Sequence, residues 1–362
     1  MSKAAELANL IGNINAGGGG VNRNLLINGS MAVAQRGTSH TTASAYTLDR
    51  WTISETTDGA VTITQDSSVP TGSGLSNSYK LDVTTADTSL SSAQRVFPHQ
   101  IIEAQNLQHL QYGTSEAKPL TLSFYVKSNV TGTYTVLFSN FDSSRHRAST
   151  YTIDSANTWE QKKITISGDT ASSFDDDNEG GLEIAWWLSA GSAYTSGTLG
   201  TAWQASDATD KVSSSNVNIM SSTDNDWFLT GCQLEVGQNA TEFEHEPVER
   251  TLLKCQRYYH RLVSNTTYDV VCHGHFGSDT VFFGTVDFPV TMRAEPTLTE
   301  SGDWRIYTNT GVAVTSGPSV NRATTHAMNL EAATGDNNDI GQGAMLTNNN
   351  DASAFLEFKA EL

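Results

Sequence analysis

The chain has 362 residues, a net charge of −18 at pH 7 and only 17% charged side chains. That length exceeds one ordinary hydrophobic core and predicts two domains with short appendages. The acidic balance argues against nucleic acid, whose phosphates need clustered Lys and Arg, and against a purely electrostatic grip on anionic lipopolysaccharide. Abundant Thr, Ser, Gly and Asn with few runs of helix formers favour many short strands joined by polar turns. No apolar run of transmembrane length and no signal-peptide pattern is seen, so neither membrane insertion nor export by the usual route is expected.

Residues 2–14 read as a short amphipathic helix, with Ser2 as its cap and Leu7, Leu10, Ile11 and Ile14 on one face. Alone in water so short a helix is marginal, and its stripe implies a partner, either sister copies or a socket on a larger assembly. Gly17–Gly20 then reads as a flexible tether. From Asn24 to about Val248 the pattern is that of strands. Leu120, Leu122, Phe124 and Val126 alternate onto one face; so do Tyr134, Val136 and Phe138, and Leu182, Ile184, Trp186 and Leu188, which turns Trp187 the other way. Polar turns fill 66–78, 139–149, 168–181 and 189–226. Residues 246–262 read as a helix: Pro247 suits its first turn, and Leu252, Cys255, Tyr259 and Leu262 form a stripe. Strands resume at 281–283, 286–290 and 304–307 and end with 355–358.

These elements predict an all-β fold. It comprises an antiparallel jelly-roll-type β-sandwich and a second, smaller C-terminal β domain, with a short N-terminal helix and a short interdomain helix. The expected division is 1–21 for helix and tether, 22–246 for the sandwich, 247–262 for the connecting helix and 263–362 for the second β domain. Cys232, Cys255 and Cys272 are odd in number and lack CxxC spacing, so neither a disulfide framework nor structural zinc is expected. Cys232 and Cys255 read as small packing residues, in keeping with synthesis in a reducing cytoplasm.

Few residues invite a chemical role. Asp175, Asp177 and Glu179 place carboxylates at alternate positions of one loop, a pattern suited to calcium, although the full EF-hand spacing is missing; a solvated turn is the competing reading and no other cofactor is expected. Trp187, Tyr194 and Trp203 in the sandwich, and Trp304 and Tyr307 in the second domain, are candidate sugar-stacking rings, with core packing as the alternative. His273 and His275 flank Gly274 and share a strand face, where symmetry-related copies could hold a metal. No GxSxG, HExxH, P-loop or GxGxxG stands in its required context, so no catalytic residue is assigned.

Several blocks resemble, in order, a broad group of bacteriophage tail-fibre and virion-surface proteins. They are Asn24–Met31 (NLLINGSM), Ala34–Thr38 (AQRGT), Leu48–Trp51 (LDRW), Leu120–Ser128, Asn157–Glu160, Gly231–Gly237 (GCQLEVG), Thr241–His245 (TEFEH), Cys255–Tyr259 and Phe288–Thr297. The resemblance spans roughly residues 22–300 and is weakest in the last sixty or so. It implies a virion-attached homotrimer whose sandwich looks like a carbohydrate-binding module, with no shared catalytic motif. Under this reading Leu7, Leu10, Ile11, Ile14, Leu252 and Tyr259 serve oligomerisation or anchoring to other virion proteins. The expected partner beyond the virion is a host cell-surface glycan or protein, and the expected place is the exterior of a phage tail or capsid assembled in the bacterial cytoplasm. Two alternatives stay open: a head-fibre, decoration or baseplate protein without a receptor role, and a polysaccharide-degrading tail enzyme.

Overall fold

The computed structural model describes residues 2–15, 22–41, 45–264, 266–309, 312–314, 317–335 and 338–362. The predicted Gly17–Gly20 tether therefore lies outside the described residues, as does the Ile14 side chain. The chain divides into two compact units, Met1–Thr251 and Leu252–Glu361. Both are all-β, as the alternating patterns predict.

In the first unit helix α1 (Lys3–Asn15) precedes the strands β1 (Ser39–His40), β2 (Thr52–Thr56), β3 (Ala60–Asp66), β4 (Ser78–Thr85) and β5 (Arg95–Glu103). Next come β6 (Leu120–Ser128), β7 (Gly132–Asn140), β8 (Arg145–Ile153), β9 (Glu160–Ile166) and β10 (Gly180–Trp187). The unit ends with β11 (Ser189–Ala190), the single-turn helix α2 (Ser192–Thr195), β12 (Gln204–Ala205) and β13 (Asp226–Val236). One antiparallel sheet runs β1-β3-β4-β13-β6-β9; the other runs β11-β5-β10-β7-β8-β12, with β2 also paired to β5. They form a sandwich whose core takes Phe124, Trp227, Leu229 and Leu234 from one sheet and Tyr134, Phe138, Ile184 and Trp186 from the other. Trp186 meets Trp51 at 5.4 Å and Phe124 at 5.8 Å between ring centres. Each such ring removed from water contributes about 2–3 kcal/mol, which is why these strands hold one register.

The outer face of the second sheet is not open. Residues 189–217, read from sequence as polar turn, fold back over it and bury Phe97, Leu137, Ala148, Ala185, Trp187 and Val212 in a second, smaller core. Strand β8 pins this cover. Arg145 and Arg147 donate to the carbonyls of Trp203 (3.0 Å) and Thr201 (2.8 Å), and the buried His146 Nε2 lies 3.0 Å from Asp210 Oδ1. The apolar residues of the cover are scattered singly, so they carry no period for a pattern to detect.

Four of the resemblance blocks, 24–31, 48–51, 231–237 and 241–245, meet in one corner of the sandwich. Asn24 Oδ1 accepts from the amides of Leu26 and Leu234, each at 3.0 Å, while its amide group donates to the Cys232 carbonyl at 2.9 Å. The Asn28 side chain donates to the carbonyls of Val33 and Asp49, and the Asn28 backbone carbonyl accepts Trp51 Nε1–H at 3.1 Å. Gly29 comes so near the closing strand that a Cβ would sit 2.0 Å from the Cys232 carbonyl oxygen. Gln233 and Glu235 point away from the sandwich core, yet both are buried. Glu235 accepts from the Thr241 amide (2.8 Å) and hydroxyl (2.9 Å); Gln233 Oε1 accepts from the Glu244 amide at 2.7 Å. Glu244 in turn accepts the amides of Asn22, Arg23 and Asn24 at 2.7–3.1 Å. Asn28, Met31 and Arg50 hold left-handed backbone here (φ 58°, 58° and 70°), a strained state for the two larger residues that this network sustains.

The second unit begins differently from expectation. Helix α3 is only Val248–Gln256, and Tyr259–Val263 is a strand, β14, not the end of a 247–262 helix. Tyr259, His260, Arg261, Leu262 and Val263 pair with Lys359 to Phe355, and a run rich in aromatic and branched residues gains more from that ladder than from helix. The remaining strands are β15 (Val270–Phe276), β16 (Val281–Asp287), β17 (Thr297–Ser301), β18 (Trp304–Tyr307) and β19 (Val312–Val314). After them come β20 (Ser319–Ala323), β21 (Ala327–Ala333), β22 (Gly343–Asn348) and β23 (Phe355–Lys359). The strand expected at 286–290 is the end of β16, which stops before Pro289, a residue without a ladder donor. A small sheet β14-β23-β17 covers one face of the large sheet β19-β18-β22-β15-β16-β21-β20. Phe276, Phe282, Trp304, Ile306, Leu330, Leu346, Leu356 and Phe358 fill the space between.

Candidate functional site

The structure separates the five candidate sugar-stacking rings. Trp187 is 2% exposed, lies on Phe97 with ring centres 4.3 Å apart, and offers no free face. Its position on β10 turns it outward, as the alternation predicts, but the 189–217 cover shields it. Tyr194 is half-buried in that cover, 5.1 Å from Trp187, and its hydroxyl accepts from Arg95 at 2.5 Å. Trp203 stands apart from this pair: its Nε1–H donates to the Ser167 carbonyl at 2.9 Å, and its ring edge meets Tyr112 at 5.8 Å. Trp304 is 2% exposed, a core residue whose Nε1–H donates to Glu300 at 2.9 Å. As stacking platforms Trp187 and Trp304 are therefore corrected to packing residues, because a pyranose needs an open ring face.

Tyr307 is open, at 43% exposure. The sequence pattern missed its neighbours. Tyr268, in the loop before β15, is also exposed, and the Arg305 guanidinium lies 3.9 Å from the Tyr268 ring centre and 5.3 Å from that of Tyr307. Arg305 Nε–H donates to Thr347 Oγ1 at 3.1 Å, which fixes the cation between the rings. Tyr268 takes left-handed backbone (φ 67°), and its amide donates to the buried Asn348 side chain. A bulky residue held in that state is presented by its surroundings, not by local preference. On the same side of the large sheet Met345 lies opposite both Tyr307 and the exposed His273, and His275 lies opposite Phe283. This face offers rings, a planar cation and imidazoles in one layer, a composition suited to stacking and hydrogen bonding with a polar ligand.

The acidic loop does not close around an ion. Asp177 Oδ1 accepts from the Glu179 amide at 2.9 Å, and the carbonyls of Asp175, Asp177 and Glu179 accept from Gln108, Gln105 and Ala104. The segment thus docks its backbone on the 3-10 helix Ala104–Leu110. Among the described residues no group of three or more His, Cys, Asp or Glu side chains comes together as a metal site, so Asp175, Asp177 and Glu179 are corrected to turn-forming residues. Two of them still act on Asp142, whose pKa is raised first by burial and then by the charges of Asp175 and Asp177.

Of the anchoring candidates, Leu7 (57%) and Ile11 (48%) are exposed on α1, Leu10 is half-buried, and the Ile14 side chain lies outside the described residues. Leu252 is half-buried, but Tyr259 is fully buried within its own chain as a β14 residue. It is corrected from contact to core. Cys232, Cys255 and Cys272 are buried free thiols; burial raises the first well above the ordinary range and pushes Cys272 up to about 12.

The first sheet also carries an outward array that sequence reading missed. Lys127 Nζ lies 3.8 Å from the Phe228 ring centre and 5.3 Å from that of Trp159, and donates to Ser68 Oγ at 2.8 Å. Burial lowers its pKa, with Asp226 and Asp66 opposing. The alternation in β6 placed Lys127 outward, but its ring partners come from β13 and the turn before β9, a pairing no local pattern specifies.

No protein-family model matches the sequence, and no curated protein matches it. Among solved structures, the chain is similar to the enzymatically active domain of bacteriophage CBA120 tailspike protein 4, at 15% identity and TM-score 0.33, over 59% of this chain and 21% of that one. It is also similar to a putative sugar-binding protein of Bacteroides thetaiotaomicron, at 16% identity and TM-score 0.33, over 59% of this chain and 100% of the other. A third is the family 11 carbohydrate-binding module of Clostridium thermocellum in complex with a mixed-linked tetrasaccharide, at 10% identity and TM-score 0.27, over 56% and 98%. The match spans about a fifth of the tailspike domain's length. At such scores these are likenesses only, and the two-sheet architecture rests on the strand pairings described above.

Proposed function

We propose that this protein is a structural subunit of a bacteriophage virion surface, a trimeric tail fibre that adheres without catalysis to host-surface glycan. One observation carries the reading. Four of the blocks through which the sequence resembles virion-surface proteins are far apart in the chain, yet their Asn24, Asn28, Trp51, Gln233, Glu235 and Glu244 interlock in a single corner. That these pieces are bonded to one another supports reading them as one folding motif. The exposed stripe of α1 supports association through the N-terminal region, and the exposed rings of the second unit support contact with sugar. Weak single sites multiplied over three copies would give useful avidity.

The test removes residues 263–362 in the particle that carries the chain and measures host adsorption. A receptor fibre loses adsorption; unchanged adsorption overturns the receptor role and leaves a decoration or baseplate part. Native mass spectrometry of the purified protein is expected to give the trimer mass, and a stable monomer would reject trimerisation.

A further inference from the structure

We infer that the first unit carries a binding cleft for a neutral short oligosaccharide on the outer face of its first sheet, formed by Tyr125, Gln161, Lys163, Glu242, Phe243 and His245. The inference rests on the glycan-adhesion reading and gives it a second, separate site. The cleft holds about 530 Å³, and Glu6 of α1 and the Gly72–Gly74 turn complete its wall. That volume lies within the roughly 300–1,000 Å³ of ordinary ligand pockets.

The fold builds the cleft from parts already described. Tyr125 on β6 stands opposite Gln161 on β9, and outward alternation brings Lys163 beside them. Gly231 sits at a register shift in β13 with φ 60°, and a Cβ there would lie 2.9 Å from the Tyr125 ring. Glycine thus makes room for that ring against the sheet. The segment after β13 supplies the opposite wall. Glu235 and Gln233 clamp its Thr241 and Glu244, which fixes Phe243 and His245 edge to face at 5.2 Å. The Glu242 amide donates to Glu6 Oε1 at 2.8 Å, tying α1 to the rim.

The chemistry of the lining selects the ligand class. Tyr125 Oη, the Gln161 amide, Lys163 Nζ and the His245 ring have no hydrogen-bond partner among the described residues, although the fold satisfies Gln233, Glu235, Glu244 and Asn24 close by. Donors and acceptors therefore face one space beside the Tyr125 and Phe243 rings, which matches a sugar, whose hydroxyls both donate and accept and whose ring face stacks. Two acidic residues, Glu6 and Glu242, and one lysine, Lys163, line the cleft, and the whole chain carries −18. An acidic glycan is disfavoured on both counts, and a neutral hexose or N-acetylhexosamine oligosaccharide fits.

The test applies the intact protein to an array of neutral hexose and N-acetylhexosamine oligosaccharides beside uronate- and sialate-bearing ones, then titrates the best neutral hit by calorimetry. Gln161→Ala and Lys163→Ala lie on the exposed face of β9 and should leave the melting temperature unchanged while weakening binding about tenfold each; Tyr307→Ala should leave this binding intact. Unaltered affinity in both β9 variants overturns the cleft and leaves adhesion elsewhere standing. Binding of acidic glycans alone overturns the ligand class. If no glycan binds while the particle's adsorption still depends on this chain, the glycan reading and the cleft both fail and a protein receptor replaces them.

Discussion

The motif corner of the first unit and the open faces of the molecule use polar residues in opposite ways. In the corner Asn24, Asn28, Gln233, Glu235 and Glu244 spend their hydrogen-bonding capacity on the chain itself. On the open faces Tyr307, Gln161 and Lys163 keep theirs for solvent or a partner. The recognisable residues of the corner are therefore scaffold, while the proposed cleft takes Tyr125, Glu242, Phe243 and His245 from recognisable blocks and only Gln161 and Lys163 from outside them.

Substitutions can break that contrast. The largest effect is expected from Gly29→Ala, because the added Cβ meets backbone at 2.0 Å and a strand must shift. A loss of about 3–5 kcal/mol is expected, read as a drop of roughly 10 °C or more in the calorimetric midpoint. An unchanged midpoint would mean the corner is looser than its hydrogen bonds imply. Glu244→Ala comes next, since it strips three backbone amides of their acceptor. The expected cost is about 1–3 kcal/mol, with faster hydrogen exchange at the Arg23 and Asn24 amides. Exchange that stays slow at both would show that these amides do not depend on the carboxylate.

The smallest effect concerns the cover over the second sheet. Burial lowers the pKa of His146, with the nearby Asp210 opposing in second place. The unfolded chain keeps the ordinary value of about 6.5, so it binds the proton more readily than the folded one. The stability contributed by the neutral ring is complete above that pH and is lost as pH falls below it. His146→Gln keeps a donor for Asp210 but does not titrate. Between pH 7.5 and 5.5 the wild type should lose a few degrees more in melting temperature than this variant, at about 2–4 °C per kcal/mol. Equal losses would remove His146 from the account. His109 and His260 are shifted in the same direction by burial and stay in both proteins, so the difference isolates one residue.

What was legible in the sequence follows from what is local. Alternation in Leu120–Val126 and Leu182–Leu188 gave two inward faces, since a strand's period is set by its own backbone. The helix at 257–262 failed because Tyr259 to Val263 gains a ladder with β23, nearly a hundred residues away, which no window around it contains. Trp187 and Trp304 failed as platforms for the same reason: alternation gives the side a ring faces, not whether a distant segment covers it. Tyr268 and Arg305 escaped notice because their stacking joins a loop and a strand only after folding.

The corner also dictates an order in time. Asn24 and Arg23 are held by Cys232, Leu234 and Glu244, partners 208 to 221 residues further along. On a ribosome those partners do not exist until most of the first unit has been translated, and closing so long a loop is slow even then. The helix at the start of the chain thus stays unseated, and the first sheet stays in two halves, until β13 arrives between β4 and β6. A product ending before Asp226 lacks both the corner's partners and the strand that joins the two halves of the first sheet, so incomplete chains are marked by an unfinished sheet as well as a loose leading segment.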